Sequence, residues 1–241
     1  MHLHFRPLLG LTVAAAIAFT ILVGLGAWQI QRLHWKLGLI ASVNRNLTAP
    51  PISLEGALAM GASAAQYHRV VLEGAFENNR AAYIFATDTD GNPVLHVIVP
   101  FVTGRGTLLV DRGIVPYRMR PEAYRAGEIT GRTRVVGVWR IPDAPGWFTP
   151  SPDRVHRIWY SRDVSAIARE NQVLLLAPVL VEADATPNRG GWPKGGQTEV
   201  HFRNEHLQYA ITWFALAAGL LVIYFTYHRA RGRLRFDRRT A

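Results

Sequence analysis

The chain of 241 residues contains no cysteine. That excludes a disulfide framework, a CxxC redox site, a thiolate zinc ribbon, an iron–sulfur cluster and covalent c-type haem attachment. Copper transfer through thiolates is excluded as well, and with only 3 methionines so is a thioether copper site. Acidic residues are scarce: 17 Asp and Glu face 27 Lys and Arg, for a formal net charge of +10. Charged residues make up only 18% of the chain against 49% hydrophobic residues, which is too apolar for a disordered protein. Also missing are a GxSxG elbow, a Walker phosphate loop, a GxGxxG turn and an HExxH pair. No nucleophile–base pair can be named, so the sequence is read as a non-enzyme. His68, His96, His156 and His201 lie far apart without metal-ligand spacing, and each is read as a hydrogen-bonded strand or loop histidine.

Formal charge is absent from two long runs, Leu8–Ile30 and Leu207–Tyr227. As a helix the first reaches about 34 Å, enough for a hydrocarbon core of about 30 Å. A cleaved signal peptide is the alternative for the first run. Its apolar stretch, however, exceeds the roughly 7–15 residues of a secretory segment and continues past Ala14-Ala15-Ala16. The expected layout is residues 1–7 in the cytoplasm, spans at 8–30 and 207–227, a 31–206 segment on the far side, and a cytoplasmic tail at 228–241. Arg6 precedes the first span, while Arg229, Arg231, Arg233, Arg235, Arg238 and Arg239 follow the second. Both termini should therefore face the cytoplasm, with the loop in the periplasm of a bacterial inner membrane. The alternative for this tail is a nucleic-acid patch. We read it as a topology signal held to membrane lipid, at about 1 kcal/mol per Arg near an anionic leaflet, with no nucleic-acid partner.

Leu33, Leu37, Ile40 and Leu47 continue at helical spacing beyond the first run, which predicts an amphipathic stalk ended by Pro50-Pro51. Gly56–Ala65 is weakly patterned and reads as a loop. Strands are predicted at Arg69–Phe76, Ala82–Thr87, Val94–Val102, Leu108–Asp111, Val135–Ile141, Val173–Val181 and Thr198–Arg203. One short helix is predicted at Ser161–Glu170, with Val164, Ile167 and Ala168 on one face. The fold class is thus a membrane protein: two transmembrane α-helices flanking a mostly β (α+β) periplasmic domain.

Within the spans, Gly10, Ala14 and Ala18 recur every four residues, as do Ala215 and Gly219, a spacing that lets helices pack closely in lipid. His206 stands at the outer mouth of the second span and heads a face made of Tyr209, Ala210, Trp213 and Ala217. An imidazole above aromatic and small residues suits a flat apolar macrocycle with anionic tails. His206 would ligate iron axially and Arg203 would meet a propionate. The alternative is a histidine hydrogen-bonded at the interface.

The sequence also carries an ordered set of motifs. Gly26-Ala-Trp28-Gln29-x-x-Arg32-x-x-Trp35-Lys36 lies at the first span. Tyr67-x-Arg69-x-x-x-x-Gly74-x-Phe76, Pro100-Phe101 and Val110-Asp111-Arg112-Gly113-Ile114-Val115-Pro116 lie in the loop. Gly195-Gly196-Gln197-Thr198 and Arg203-Asn204-Glu205-His206-Leu207-Gln208-Tyr209-Ala210, then Thr212-Trp213, lead into the second span. Together they resemble the surfeit-locus cytochrome c oxidase assembly proteins, as a bacterial member. That resemblance implies a non-enzymatic factor that helps place haem a in the catalytic subunit of an aa3-type terminal oxidase. Haem a synthase is a candidate further partner. The cofactor is haem a, held transiently. The resemblance makes His206 the axial ligand. The face it heads puts Tyr209 and Trp213 beside the group and Arg203 at a propionate. A first helix that runs straight on past Ile30 brings His34, which the family motif does not require, near the same height as a candidate second ligand. A scaffold that steadies an oxidase intermediate without haem is the competing reading. Asp111 and Ile114 stand where the family more often has Asn and Trp, and Glu205 where it often has a second Asn.

Overall fold

Pro50 and Pro51 stop a single 40-residue helix, α1 (Leu9–Thr48), so the stalk continues the first apolar run without a break. The structure is a computed structural model and describes residues 2–119, 124–142, 145–198, 200, 202 and 204–237. It divides into two compact units, Met1–Ser42 with His201–Ala241, and Val43–Val200.

In the first unit α1 runs antiparallel to α4 (His206–Ala230), and both helices are long and apolar enough to cross a membrane. The two ends are tied by a two-stranded antiparallel ribbon, β1 (His2–Phe5) with β10 (Leu234–Asp237), and Arg6 donates its backbone N–H to the Arg233 carbonyl at 2.9 Å. Protected positions on α1 include Thr12, Ala15, Phe19, Leu22, Gly26 and Gln29, which step by alternating three and four residues. On α4 they include His206, Ala210, Trp213, Ala217, Leu220 and Tyr224, with the same steps. This period of 3.5 keeps one face on the partner helix, whereas a strict period of four drifts around the barrel of the helix. The predicted every-four stripe is displaced accordingly: Gly10 and Ala14 are exposed, and nothing lies within 4 Å of a Cβ built on Gly10 or Gly219. The tightest approach is instead at Gly26, where an added Cβ would stand 2.7 Å from the Phe214 ring.

In the second unit a short helix, α2 (Leu54–Met60), follows the two-residue strand β2 (Ile52–Ser53) and corrects the loop expected from Gly56. Ser53 caps it by accepting the Gly56 N–H at 3.1 Å, and Leu54 and Ala57 are buried on its inner side. The remaining strands are β3 (Arg69–Phe76), β4 (Ala82–Thr87), β5 (Pro93–Thr103), β6 (Gly106–Pro116), β7 (Thr133–Arg140), β8 (Ile158–Trp159) and β9 (Leu175–Ala183). Thr198, Val200 and Phe202 belong to no strand, which corrects the expectation for Thr198–Arg203. The sheet order is β2-β3-β7-β9-β6-β5-β4-β8, and β3 also pairs with β5 through Gly74–Thr103, Ala75–Val102 and Phe76–Phe101. That extra pairing closes β3, β7, β9, β6 and β5 into a five-stranded barrel, which removes their free edges.

Alternation of side chains fills the barrel. Val70, Leu72, Phe101, Leu108, Val110, Val135, Trp139, Val179 and Val181 point into one cluster, with Leu54 and Ala57 of α2 at its end. Leu109 and Leu180, one residue out of phase, face the outside of the barrel. There they pack with Ile84 and Ile98 beneath Val164 and Ile167 of α3 (Val164–Glu170). Both faces of β6 and β9 are therefore buried, and their apolar residues run almost without interruption.

Candidate functional site

His206 begins α4, and its Nδ1 lies 2.8 Å from Oε1 of Gln29, in the first-span motif. An amide oxygen only accepts, so Nδ1 is the donor, and in the neutral imidazole the lone pair then lies on Nε2. Gln29 is itself buried at 9% exposure, so its side chain is held by the α1–α4 packing. A histidine whose second nitrogen is fixed by a carbonyl is the arrangement that orients imidazole as a metal ligand.

The other proposed residues are placed differently. Tyr209 is 49% exposed and lies off the helix contact, while Trp213 is half-buried within it. Ala210 and Ala217 are buried, at 1% and 3% exposure. His34 is exposed, its Nδ1 turned back on the Ile30 carbonyl at 2.9 Å. Arg203 lies outside the described residues. At the opposite end of the hairpin His228 is fully buried. It accepts the Leu8 N–H on Nε2 at 3.3 Å and donates from Nδ1 to the Tyr224 carbonyl at 2.8 Å, so both ring nitrogens are engaged. Beside it the Thr12 and Tyr224 hydroxyls meet at 2.7 Å. The apolar hairpin thus has a polar clasp at each end, and His206 has the freer ring.

The barrel holds a second polar cluster. His96 of β5 and Asp111 of β6 meet at 2.7 Å with both side chains buried, so His96 is a hydrogen-bonded strand histidine. No group of three His, Cys, Asp or Glu able to hold a metal ion is found among the described residues. Glu182 of β9 stands 3.7 Å from Arg140 and 3.9 Å from Arg162. Burial pushes the Glu182 carboxyl above its ordinary value, against the pull of Arg140 and with help from Asp111. In the interval above about 4.5 the folded state therefore holds a proton that the unfolded chain has lost. Stability from this group is complete below the ordinary value and falls as pH rises through the folded one. Replacing Glu182 by Gln should flatten that decline, read as the thermal midpoint of the full chain in detergent between about pH 4 and 7. A decline of unchanged slope in the variant would assign it to other groups.

The residues that sequence reasoning missed are Gln29 and Arg112. Both lie inside quoted motifs, but nothing local marks a partner for either. Gln29 is separated from His206 by 177 positions. Arg112 is 4% exposed, and its Nη2 donates to the Gly127 carbonyl at 2.6 Å and to Asn188 Oδ1 at 2.7 Å.

These features define a class: two helices apolar enough to span a membrane, flanking a closed β barrel, with an oriented histidine at the head of the second helix. A sequence model of the SURF1 family matches residues 16–218, and the chain belongs to that family. It is 36% identical to Surfeit locus protein 1 of Takifugu rubripes over 220 residues, covering 84% of this chain and 90% of that protein. The human Surfeit locus protein 1 is 34% identical over 223 residues, covering 84% and 72% of the two chains. A SURF1-like protein of Rickettsia felis is 30% identical over 218 residues, covering 88% and 94%.

Proposed function

We propose that this protein is an inner-membrane assembly factor for an aa3-type cytochrome c oxidase that presents haem a to the catalytic subunit on His206. The observation that carries this reading is the Gln29 carbonyl on His206 Nδ1, which leaves Nε2 as a free donor atom. The donor set fits the group at the iron, through the free nitrogen of an oriented imidazole. His206 would hold its iron, Tyr209 offers an exposed aromatic surface on the same helix, and Arg203 would pair with a propionate. Haem a, when bound, is the electron-carrying group the oxidase requires; this chain's part is to hold and release it. The protein performs no catalysis of its own, and haem a synthase is a further partner.

The burial of Ala210 and Ala217 favours a second reading, a scaffold that holds the oxidase intermediate without haem. Purification after co-expression with haem a synthesis separates the two. A Soret band that travels with the protein is expected. A colourless protein that still co-purifies with the catalytic subunit would establish the scaffold instead.

The proposed orientation puts the barrel in the periplasm and both termini in the cytoplasm, following the Arg-rich tail. A reporter that is active only in the periplasm should stay silent when fused after Ala241 and report when inserted at Gly91, in the exposed β4–β5 turn. Activity at the Ala241 fusion would reverse the topology.

A further inference from the structure

We propose that the pocket above Arg112 in the barrel unit binds a carboxylate carried on a short apolar stem. The cavity has a volume of about 160 Å³, and Arg112 and Arg134 both line it. Arg112 is nearly fully buried, with its guanidinium over the Phe76 ring at 5.0 Å. Its two hydrogen-bond acceptors, the Gly127 carbonyl and the Asn188 amide oxygen, are both neutral. Among the described residues no carboxylate stands within 4 Å of its guanidinium. Burial lowers the affinity of Arg112 for its proton, and Glu128 opposes this only by its charge from beyond ion-pair distance, so the buried cation is not neutralised by direct contact. Both of these hydrogen bonds are made by Nη2, and the fork carries further N–H donors on Nη1 and Nε. Arg134, exposed on β7, also forms no ion pair among the described residues. The acid in the wall, Asp184, is already matched by Arg69 at 3.7 Å and by Thr186.

The walls decide the kind of anion. Phe76, Val135 and Ala183 give the same cavity apolar surface. A phosphate brings more charge to desolvate against these walls than a carboxylate does. A carboxylate matches the planar fork through two oxygens and places its stem against the hydrocarbon walls. That chemistry belongs equally to the C-terminus of a polypeptide and to the carboxylate side arm of a tetrapyrrole. The site lies wholly within residues 76–188 and stands whether or not His206 holds haem.

The test uses the full chain in detergent micelles and saturation-transfer NMR with butanoate as the probe. Butanamide, its neutral isostere, is the control. Butanoate is expected to bind at least tenfold more tightly than butanamide. Arg134→Gln, at an exposed strand position, should weaken butanoate about tenfold without moving the unfolding midpoint. Arg112→Lys, which keeps the charge and loses the fork, should abolish the signal. Displacement of butanoate by a tripeptide with a free C-terminal carboxylate, but not by its amide, assigns the site to a polypeptide end. Displacement by mesoporphyrin, but not by its dimethyl ester, assigns it to a tetrapyrrole. Equal binding of butanoate and butanamide, or butanoate binding indifferent to both arginine variants, overturns the proposal.

Discussion

Replacing Gly113 by alanine is expected to cost the barrel unit about 4 kcal/mol or more, a large part of the roughly 5–15 kcal/mol that holds a domain together. Gly113 sits inside β6 with φ of +111°, a conformation that a side chain opposes. The space is also taken: a Cβ at this position would overlap the backbone carbonyl of Lys194. That carbonyl cannot swing aside cheaply. It accepts the Ile114 N–H at 3.0 Å, while the Lys194 N–H returns to the Ile114 carbonyl at 2.9 Å. Gly113 also donates its own N–H to Asp111 Oδ1 at 2.9 Å, and Asp111 holds His96. The alanine would therefore disturb the backbone bridge and the buried Asp111–His96 pair together. For a domain of this size the loss corresponds to a fall in unfolding midpoint of roughly 8–16 °C, or to failure to accumulate. Scanning calorimetry of the variant in detergent gives the readout. A midpoint within about 3 °C of the parent would show that the Lys194 segment yields freely and that the bridge contributes little.

The parts of this fold that follow from a local period were legible in the sequence. Uncharged runs announced α1 and α4, Pro50-Pro51 marked the end of the stalk, and alternation located β3 and β4 residue for residue. The short α2 was hidden because Gly56 and its alanines carry no helical stripe; its one signal was Ser53 at the cap position, followed by Glu55 in the first turn. Closure of the barrel could not be read at all. It depends on β3 meeting β5 and on β6 running parallel to β9, pairings set by the whole chain and not by any window of it. The same distance separates what was legible of the site from what was not. His206 stood out by its place at a span end, whereas Gln29 was one polar residue in an apolar run until α1 and α4 paired in a 3.5-residue seam. The small-residue stripe misled for a related reason, since a period of four describes spacing along a helix and not the face that a partner covers.

Replacing His206 by alanine is expected to remove haem from a protein that still inserts and folds. The side chain is half-exposed at the head of α4, so its loss opens no sealed core. The structural cost falls on Gln29, whose buried amide oxygen loses its donor, at about 1–3 kcal/mol. The remaining hairpin contacts, including Thr12–Tyr224 and Leu8–His228, lie at the far end and are untouched. The consequence for haem is larger, because among the histidines of the two helices each competitor is compromised. His228 has both nitrogens engaged, and His34 folds Nδ1 onto its own helix with no partner helix to fix it. Absorbance of the purified variants checks this order directly. His206→Ala should lose the Soret band, while His34→Ala and His228→Ala should keep it. Gln29→Leu tests the positioning role separately: it frees Nδ1 and the tautomer, leaves His206 in place, and should weaken haem retention by roughly 10–100-fold. A band that survives in His206→Ala would remove the iron ligand from this helix and leave the oxidase scaffold as the function of the hairpin.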